Sequence, residues 1–248
     1  MSKRIYNYRF STQEERSKHP KYVEAVKPDL TKLPDKIDLS SFFPTVFDQG
    51  ELGSCTANAL GGCVEFLVKN FIPSRLFIYY NERMEQGTIN EDSGSTITTG
   101  IDTLKKFGVC AETEWNYNIQ NFKEKPSDQC YNDAKKDLVQ VALNIQTLDE
   151  IKHCLYNGYP VAFAFQVFEY FQSGDMALSG ILKMPQPNEK HLGGHAVLAV
   201  GYDDSKKMIK VRNSWGSDWG DNGYFYMPYD YISDTKLADD FWTIRTIL

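Results

Sequence analysis

The sequence has no apolar run long enough to cross a bilayer; a spanning helix takes about 20 consecutive apolar residues. It has no basic tract either. Its 27 Lys and Arg stand against 33 Asp and Glu, a net charge of −6, so the electrostatic footprint of a nucleic-acid binder is missing. Neither a membrane nor a nucleic acid is an expected partner. Lys3 and Arg4 lie near the start, but no apolar stretch follows them. A secretory signal pattern is therefore absent from the sequence as written. The expectation is a cytoplasmic protein, or one packaged or released by another route. No internal repeat is evident. Histidine is scarce at four and cysteine at five. No two cysteines form a CxxC pair, and no Cys accompanies His191 and His195, so no zinc-ligand spacing exists. No metal or cofactor is expected. The odd cysteine count leaves at least one thiol unpaired within the chain.

What is present reads as globular. Hydrophobic residues make up 42% and charged residues 24% of 248 positions, with fifteen Tyr and fifteen Phe to fill cores. That length suits one large domain or two small ones around a shared interface.

Residues 1 to about 32 are polar and aromatic with little periodicity. They read either as a solvated tail or as a held segment, since Tyr6, Tyr8, Phe10 and Tyr22 offer apolar anchors. Pro28, Pro34 and Pro44 mark extended chain. The first half is then mainly helical. A helix is expected from Ser54 to about Asn70, with Ala57, Leu60, Val64, Leu67 and Val68 at helical spacing. A second runs from Arg75 to Gln86. A third opens at Ser95 or Thr96 and closes at Gly108. Residues 111–130 read as a long loop. The second half turns to strands at 139–145, 161–167, 195–202, 208–213 and 223–227, with a short helix from Leu148 to Asn157. Helices first and strands second give an α+β protein with two lobes, about 46–140 helical and about 141–248 β.

The stretch Asp48–Leu60 organises the rest. A Gly-punctuated loop passes into a helix at Ser54, a good N-cap residue, so Cys55 falls in the first turn. A helix N-terminus favours the thiolate, the reactive form. Alone, Cys55 serves equally well as a small core residue. A nucleophile needs a base, and the base an orienter. His195 follows Gly193-Gly194 at a strand start. Asn213 ends the strand after the next hairpin, placed to bond the imidazole, although turn formation alone also explains it. Trp215 and Trp219 either cover that pair from water or simply pack.

The sequence resembles the papain/cathepsin family of cysteine proteases through three blocks: Gln49-Gly50 followed by Cys55, Gly193-Gly194-His195-Ala196, and Asn213-Ser214-Trp215-Gly216 running on to Tyr224. The spacings from Cys55 to His195 and Asn213 are close to the family's range. The resemblance covers about Leu33 to Leu248, which makes 33–248 the peptidase domain and 1–32 a leader. It implies a helical left lobe, a β-barrel-like right lobe and a cleft between them. It implies Cys55 as nucleophile, His195 as general base and then acid, Asn213 as orienter, and Gln49 as oxyanion-hole donor. The pair would sit as thiolate and imidazolium near neutral pH. The reaction implied is cleavage of peptide or protein substrates through a thioester, by a monomer. Ala164, Gly193 and Ala196 resemble the wall of a roomy apolar pocket for the second substrate residue. Asp92, Ser93 and Gly94 resemble a strip that binds substrate backbone, with Gly194 and Trp215 alongside; a helix cap alone also explains Asp92 to Ser95.

Two positions depart from the family pattern. Thr56 replaces an aromatic residue after the nucleophile, and Leu52 replaces a disulfide-forming Cys. With so short a leader, these fit a bacterial or viral branch better than a lysosomal cathepsin. Cys110 and Cys130 flank one loop and are candidates for a disulfide; Cys63 and Cys154 are expected as reduced core residues. The leader is expected to act as a tethered intramolecular cover of the cleft. Two other readings stand beside the protease: a catalytically silent binding protein, and an acyltransferase that passes the acyl group to an amine.

Overall fold

The computed structural model describes residues 4–247; Met1–Lys3 of the expected leader, and Leu248, lie outside them. Among the described residues the helices are α1 (Gln13–Ser17), α2 (Tyr22–Val26), α3 (Cys55–Leu67), α4 (Arg75–Glu85), α5 (Ile97–Phe107), α6 (Asp128–Ala134), α7 (Leu148–Tyr156), α8 (Gly174–Ser179) and α9 (Tyr229–Ser233). The strands are β1 (Lys36–Asp38), β2 (Val139–Ile145), β3 (Val161–Phe168), β4 (His191–Asp203), β5 (Met208–Arg212), β6 (Tyr224–Pro228) and β7 (Ala238–Ile247). The fold is α+β and papain-like, helices first and sheet second.

The strands form one antiparallel sheet in the order β2-β7-β3-β4-β5-β6, with β1 on the far end of β4. It is open: β2 and β6 do not pair with each other. The barrel expected from the family resemblance is thus an unclosed sheet. Its edges are blunted by other chain, which protects unpaired backbone groups. The Asn144 N–H of β2 donates to Pro20, and backbone bonds from Tyr226 to Gly180 and from Leu182 to Tyr226 cover β6.

Helix α3 is the spine. Every residue from Cys55 to Glu65 is buried, as its apolar residues on more than one side demand. Gly62 lets it press on the sheet: a methyl built there would lie 2.9 Å from Leu198 Cδ2 of β4. Buried Arg212 of β5 is sandwiched between Phe43 and Phe47 and pairs with buried Glu65 of α3 at 3.0 Å. An ion pair taken out of water is favourable only with such close geometry.

The first thirty residues are more ordered than their composition suggests. Thr12 and Glu15 form a reciprocal capping box that starts α1. Tyr22 of α2 is fully buried, its hydroxyl 2.8 Å from His153 Nδ1. The 111–130 loop also differs from expectation, since it holds a 3-10 turn at Ile119–Asn121 and Ser127 caps α6. All five cysteines are free thiols and buried. Cys110 and Cys130 are neighbours without a bond; burial, and then Cys130, push the Cys110 thiol up.

Candidate active site

Cys55 is the first residue of α3. Ser54 precedes it but caps nothing with its side chain. Its Oγ instead lies 2.5 Å from Tyr117 Oη and accepts from Asn58 Nδ2 at 3.1 Å. The Cys55 thiol faces β4, where the Ala196 backbone N–H favours its thiolate form, as do the N–H groups of Thr56 and Cys55 itself. The next residue back along that strand is His195.

His195 is fully buried. Its Nε2 lies 2.9 Å from Asn213 Oδ1. An amide oxygen only accepts, so Nε2 carries the proton and Nδ1 is the basic nitrogen. That Nδ1 is buried with no hydrogen-bond partner. Trp215 stacks on the imidazole at 5.4 Å between centroids, and Phe165 and Phe171 close its other sides. Trp219 packs edge-on against Trp215.

Gln49 is anchored three times. Its backbone N–H donates to the Ser214 carbonyl at 2.9 Å. Its Oε1 accepts from Ser214 Oγ at 2.5 Å, and its Nε2 donates to the Leu52 carbonyl at 3.0 Å. A side-chain amide has two N–H donors, so one hydrogen remains. Ser214, which orients this amide, carries no signal of its own in the sequence.

The segment from Arg4 to Arg9 lies across these residues. Arg4 donates to Asp48 Oδ1 at 2.8 Å and to the Gly50 carbonyl at 2.9 Å, with its guanidinium over Trp215. The Tyr6 ring stands edge-on to His195 with centroids 6.1 Å apart. Asn7 bridges Gly194 and donates to the Asp92 carbonyl at 2.8 Å. The Tyr8 N–H donates to Gly194, and the Arg9 N–H to Ser95. Gly193 and Gly94 make this fit possible. A methyl on either would come within 2.1 Å or 2.2 Å of the Tyr6 or Asn7 carbonyl oxygen.

Of the expected substrate-binding residues, Asp92, Gly94, Gly193, Gly194 and Trp215 therefore meet this segment. Asp92 is itself fixed by Tyr79 and by the Gly53 N–H at 3.0 Å. Ser93 turns instead to Thr88 Oγ1 at 2.8 Å. Ala164 and Ala196 face each other across β3 and β4, and Asp239 pairs with Ala164 from β7.

Burial under this segment changes the electrostatics from those expected. It pushes the Cys55 thiol up to about 12, against the pull of the Ala196 N–H. It drives His195 down to about 4, against the raising effect of Asn213, and Arg4 lowers it further. In the covered site both groups are neutral, not thiolate and imidazolium. Behind the helix start, Thr56 Oγ1 donates to Glu82 Oε2 at 2.7 Å. Glu82 is fully buried, and burial raises it to about 8. A polar residue at position 56 thus replaces the family's aromatic because it serves a buried carboxyl.

A model described as papain family cysteine protease matches residues 33–242. The chain belongs to the papain family of cysteine proteases. This papain-family chain is 46% identical over 215 residues to a protein of Acanthamoeba polyphaga mimivirus described as an uncharacterized peptidase C1-like protein. That match covers 81% of the chain and 69% of the viral protein. It is 29% identical over 73% of its length to pro-cathepsin H of Medicago truncatula, and spans about half of that protein (53%). Among solved structures it resembles xylellain, a cysteine protease from Xylella fastidiosa, with a TM-score of 0.89 and 40% identity over 100% of this chain and 99% of that one. The papain-like peptidase is thus similar to a viral and a bacterial protein, as Leu52 and Thr56 suggested.

Two features of the site went unread in the sequence. One is Asp240, which reaches Tyr8; its signal is a pair of carboxylates inside the apolar run Leu237–Ile244. The other is Glu82, whose signal was Thr56.

Proposed function

We propose that this papain-like peptidase is an endopeptidase that works through a thioester acyl-enzyme, with residues up to about 32 restraining it. The observation that carries the chemistry is the His195–Asn213 bond at 2.9 Å together with the unpartnered Nδ1. Asn213 holds the Nε2 proton, so Nδ1 faces the reaction as a base. His195 takes the Cys55 proton as Sγ attacks the peptide carbonyl. The imidazolium then gives that proton to the leaving amine as the C–N bond breaks, which leaves the acyl group on sulfur. Water, deprotonated by His195, attacks the thioester, and Cys55 leaves with the proton restored. The charge on the tetrahedral oxygen is met by the second Gln49 amide hydrogen and the Cys55 N–H, worth about 3–4 kcal/mol in the transition state. Ser214 aims Gln49. The enzyme acts on peptide or protein substrates as a monomer, with 33–248 as the working domain.

Restraint is supported by the position of Arg4 to Arg9. A substrate backbone needs the same Gly193, Gly194 and Asp92 that Tyr6, Asn7 and Tyr8 occupy. The tether holds the segment at high effective concentration. Both burial shifts favour an inactive neutral pair while it is in place. The pro-cathepsin name of the plant relative accords with such a proform.

The test starts from the folded full chain with a specific cleavage site placed in the exposed stretch 29–32. After cutting and removal of the leader, a thiol-reactive epoxide should label Cys55 and fluorogenic peptides should be cleaved. Cys55→Ala should abolish both. A Cys55→Ala protein that still cleaves overturns the chemistry. Equal kinetics before and after release overturn the restraint. A released enzyme that forms amides from added amines in preference to acids favours the acyltransferase instead.

A further inference from the structure

Tyr8 of the leader is buried, with its backbone and Cβ against Gly194, its ring edge-on to Phe10 and its hydroxyl on the carboxylate of Asp240. Asp240 is fully buried at a bulge of β7. Ala162 and Ala164 of β3 pair with Trp242 and Asp239, so β7 carries an extra residue between these pairs. Asp240 takes up the strain with a φ of +64°, a conformation Asp tolerates better than most residues. Bulges re-aim side chains, and this one turns a carboxylate toward Tyr8 and Ser11.

The partners of that carboxylate are unequal in origin. Oδ1 accepts from Trp242 Nε1 at 2.7 Å, within the peptidase domain. Oδ2 accepts from Tyr8 Oη and from the Ser11 N–H at 2.7 Å, both in the leader. The cation within reach, Arg16 Nε at 3.8 Å from Oδ1, also belongs to the leader. Removing the leader strips Oδ2 of its donors and the carboxylate of its counter-charge together. Among the described residues no other Lys, Arg or His pairs with it. A buried acceptor left unsatisfied is costly, and a buried unpaired charge more so.

We propose that Asp240 is a specificity-determining residue, and that once the leader is released the Tyr8 pocket takes a cationic Lys or Arg side chain of the substrate. The aliphatic stem of such a residue packs where the Tyr8 ring lay. Its charged end replaces the phenol, the Ser11 N–H and Arg16 in one group. A plain apolar side chain fills the space and leaves the carboxylate unpaired. An acidic one adds repulsion. The apolar pocket that the family resemblance suggests is thereby given a charged floor. This proposal rests on the peptidase and leader readings above.

The experiment profiles the released enzyme, prepared by cutting the folded full chain as above, against a positional-scanning peptide library. The expected result is a preference of at least about tenfold for Lys or Arg over norleucine at one substrate position, the scale of a charged hydrogen bond. Asp240→Asn should cut that ratio to within about threefold. No cationic preference at any position overturns the proposal, as does a preference untouched by Asp240→Asn. A second comparison holds if that variant does not fold. In the uncut chain, Tyr8→Lys should keep the restraint while Tyr8→Phe loosens it; equal loosening by both overturns the pocket assignment. Failure of the peptidase reading looks different, since no peptide would be cleaved although the chain is folded and its leader gone.

Discussion

His195 Nε2 lies 2.9 Å from Asn213 Oδ1, on the opposite side of the imidazole from the nitrogen that has no partner. The bond selects one tautomer. Asn213→Ala should therefore lower kcat by about tenfold to a hundredfold without abolishing it, since orientation and not the base itself is lost. Gln49→Ala should lower kcat more than it raises KM, because its donor acts in the transition state. A Gln49→Ala enzyme that changes only in KM removes the oxyanion role.

The covering segment is held at two points by different means: Arg4 by Asp48 and Gly50, Tyr8 by Asp240. Arg4→Ala and Tyr6→Ala in the uncut chain should each raise kcat/KM toward small peptides. The double variant should approach the released enzyme. Unchanged progress curves for both single variants would locate the restraint outside these contacts.

The covered site carries a pH dependence of definite sign. His195 is lowered from 6.5 to about 4 under the leader. Where the open form holds an imidazolium beside a Cys55 that is already a thiol, closure thus expels the His195 proton. Falling pH between about 6.5 and 4 disfavours the closed form. Labelling of Cys55 by the epoxide in the uncut chain should speed up from pH 7 to pH 5. A simple exposed thiol does the reverse, since its thiolate fraction drops. A rate that only falls over that range contradicts the sign.

Glu82 gives a second pH signature, in stability. Its folded value of about 8 stands above the ordinary 4.5 of a glutamate. Folding takes up a proton between those values, so the group's contribution is full below 4.5 and is lost as pH rises to 8. The loss is on the order of a few kcal/mol. Glu82→Gln should gain thermal stability relative to the parent as pH goes from 5 to 8, read by Tm at each pH. A gap that stays constant across the range refutes the protonated carboxyl.

Much of this was legible in the chain. Local punctuation placed helices from Ser54 to about Asn70, from Arg75 to Gln86 and from Ser95 or Thr96 to Gly108, close to the observed 55–67, 75–85 and 97–107, because apolar spacing, Thr96 and Gly108 act within a few residues of each other. The spacing of Cys55, His195 and Asn213 pointed to one constellation. The leader helices were missed although Thr12 and Glu15 spell a capping box, since each has only five residues and takes its stability from tertiary contacts. Asp240 was missed because its left-handed φ and the register shift of β7 are properties of the sheet. The neutral pair of the covered site was not legible for a related reason: the solvation of Cys55 and His195 depends on Tyr6, distant in sequence and adjacent in space.

Strand β7 lies between β2 and β3 in the sheet, yet follows both in the chain. During synthesis β2 and β3 emerge first, with the edges they will later share with β7 still unpaired. Those edges are aggregation-prone while they wait. Closing them requires pairings such as Val139 with Ile247 and Asn144 with Trp242, between residues far apart in sequence. Contacts of that separation make folding slow. Assembly of the β lobe therefore waits on its last strand, and a chain stopped before Ala238 has no route to the native sheet, whatever the state of its Cys55, His195 and Asn213.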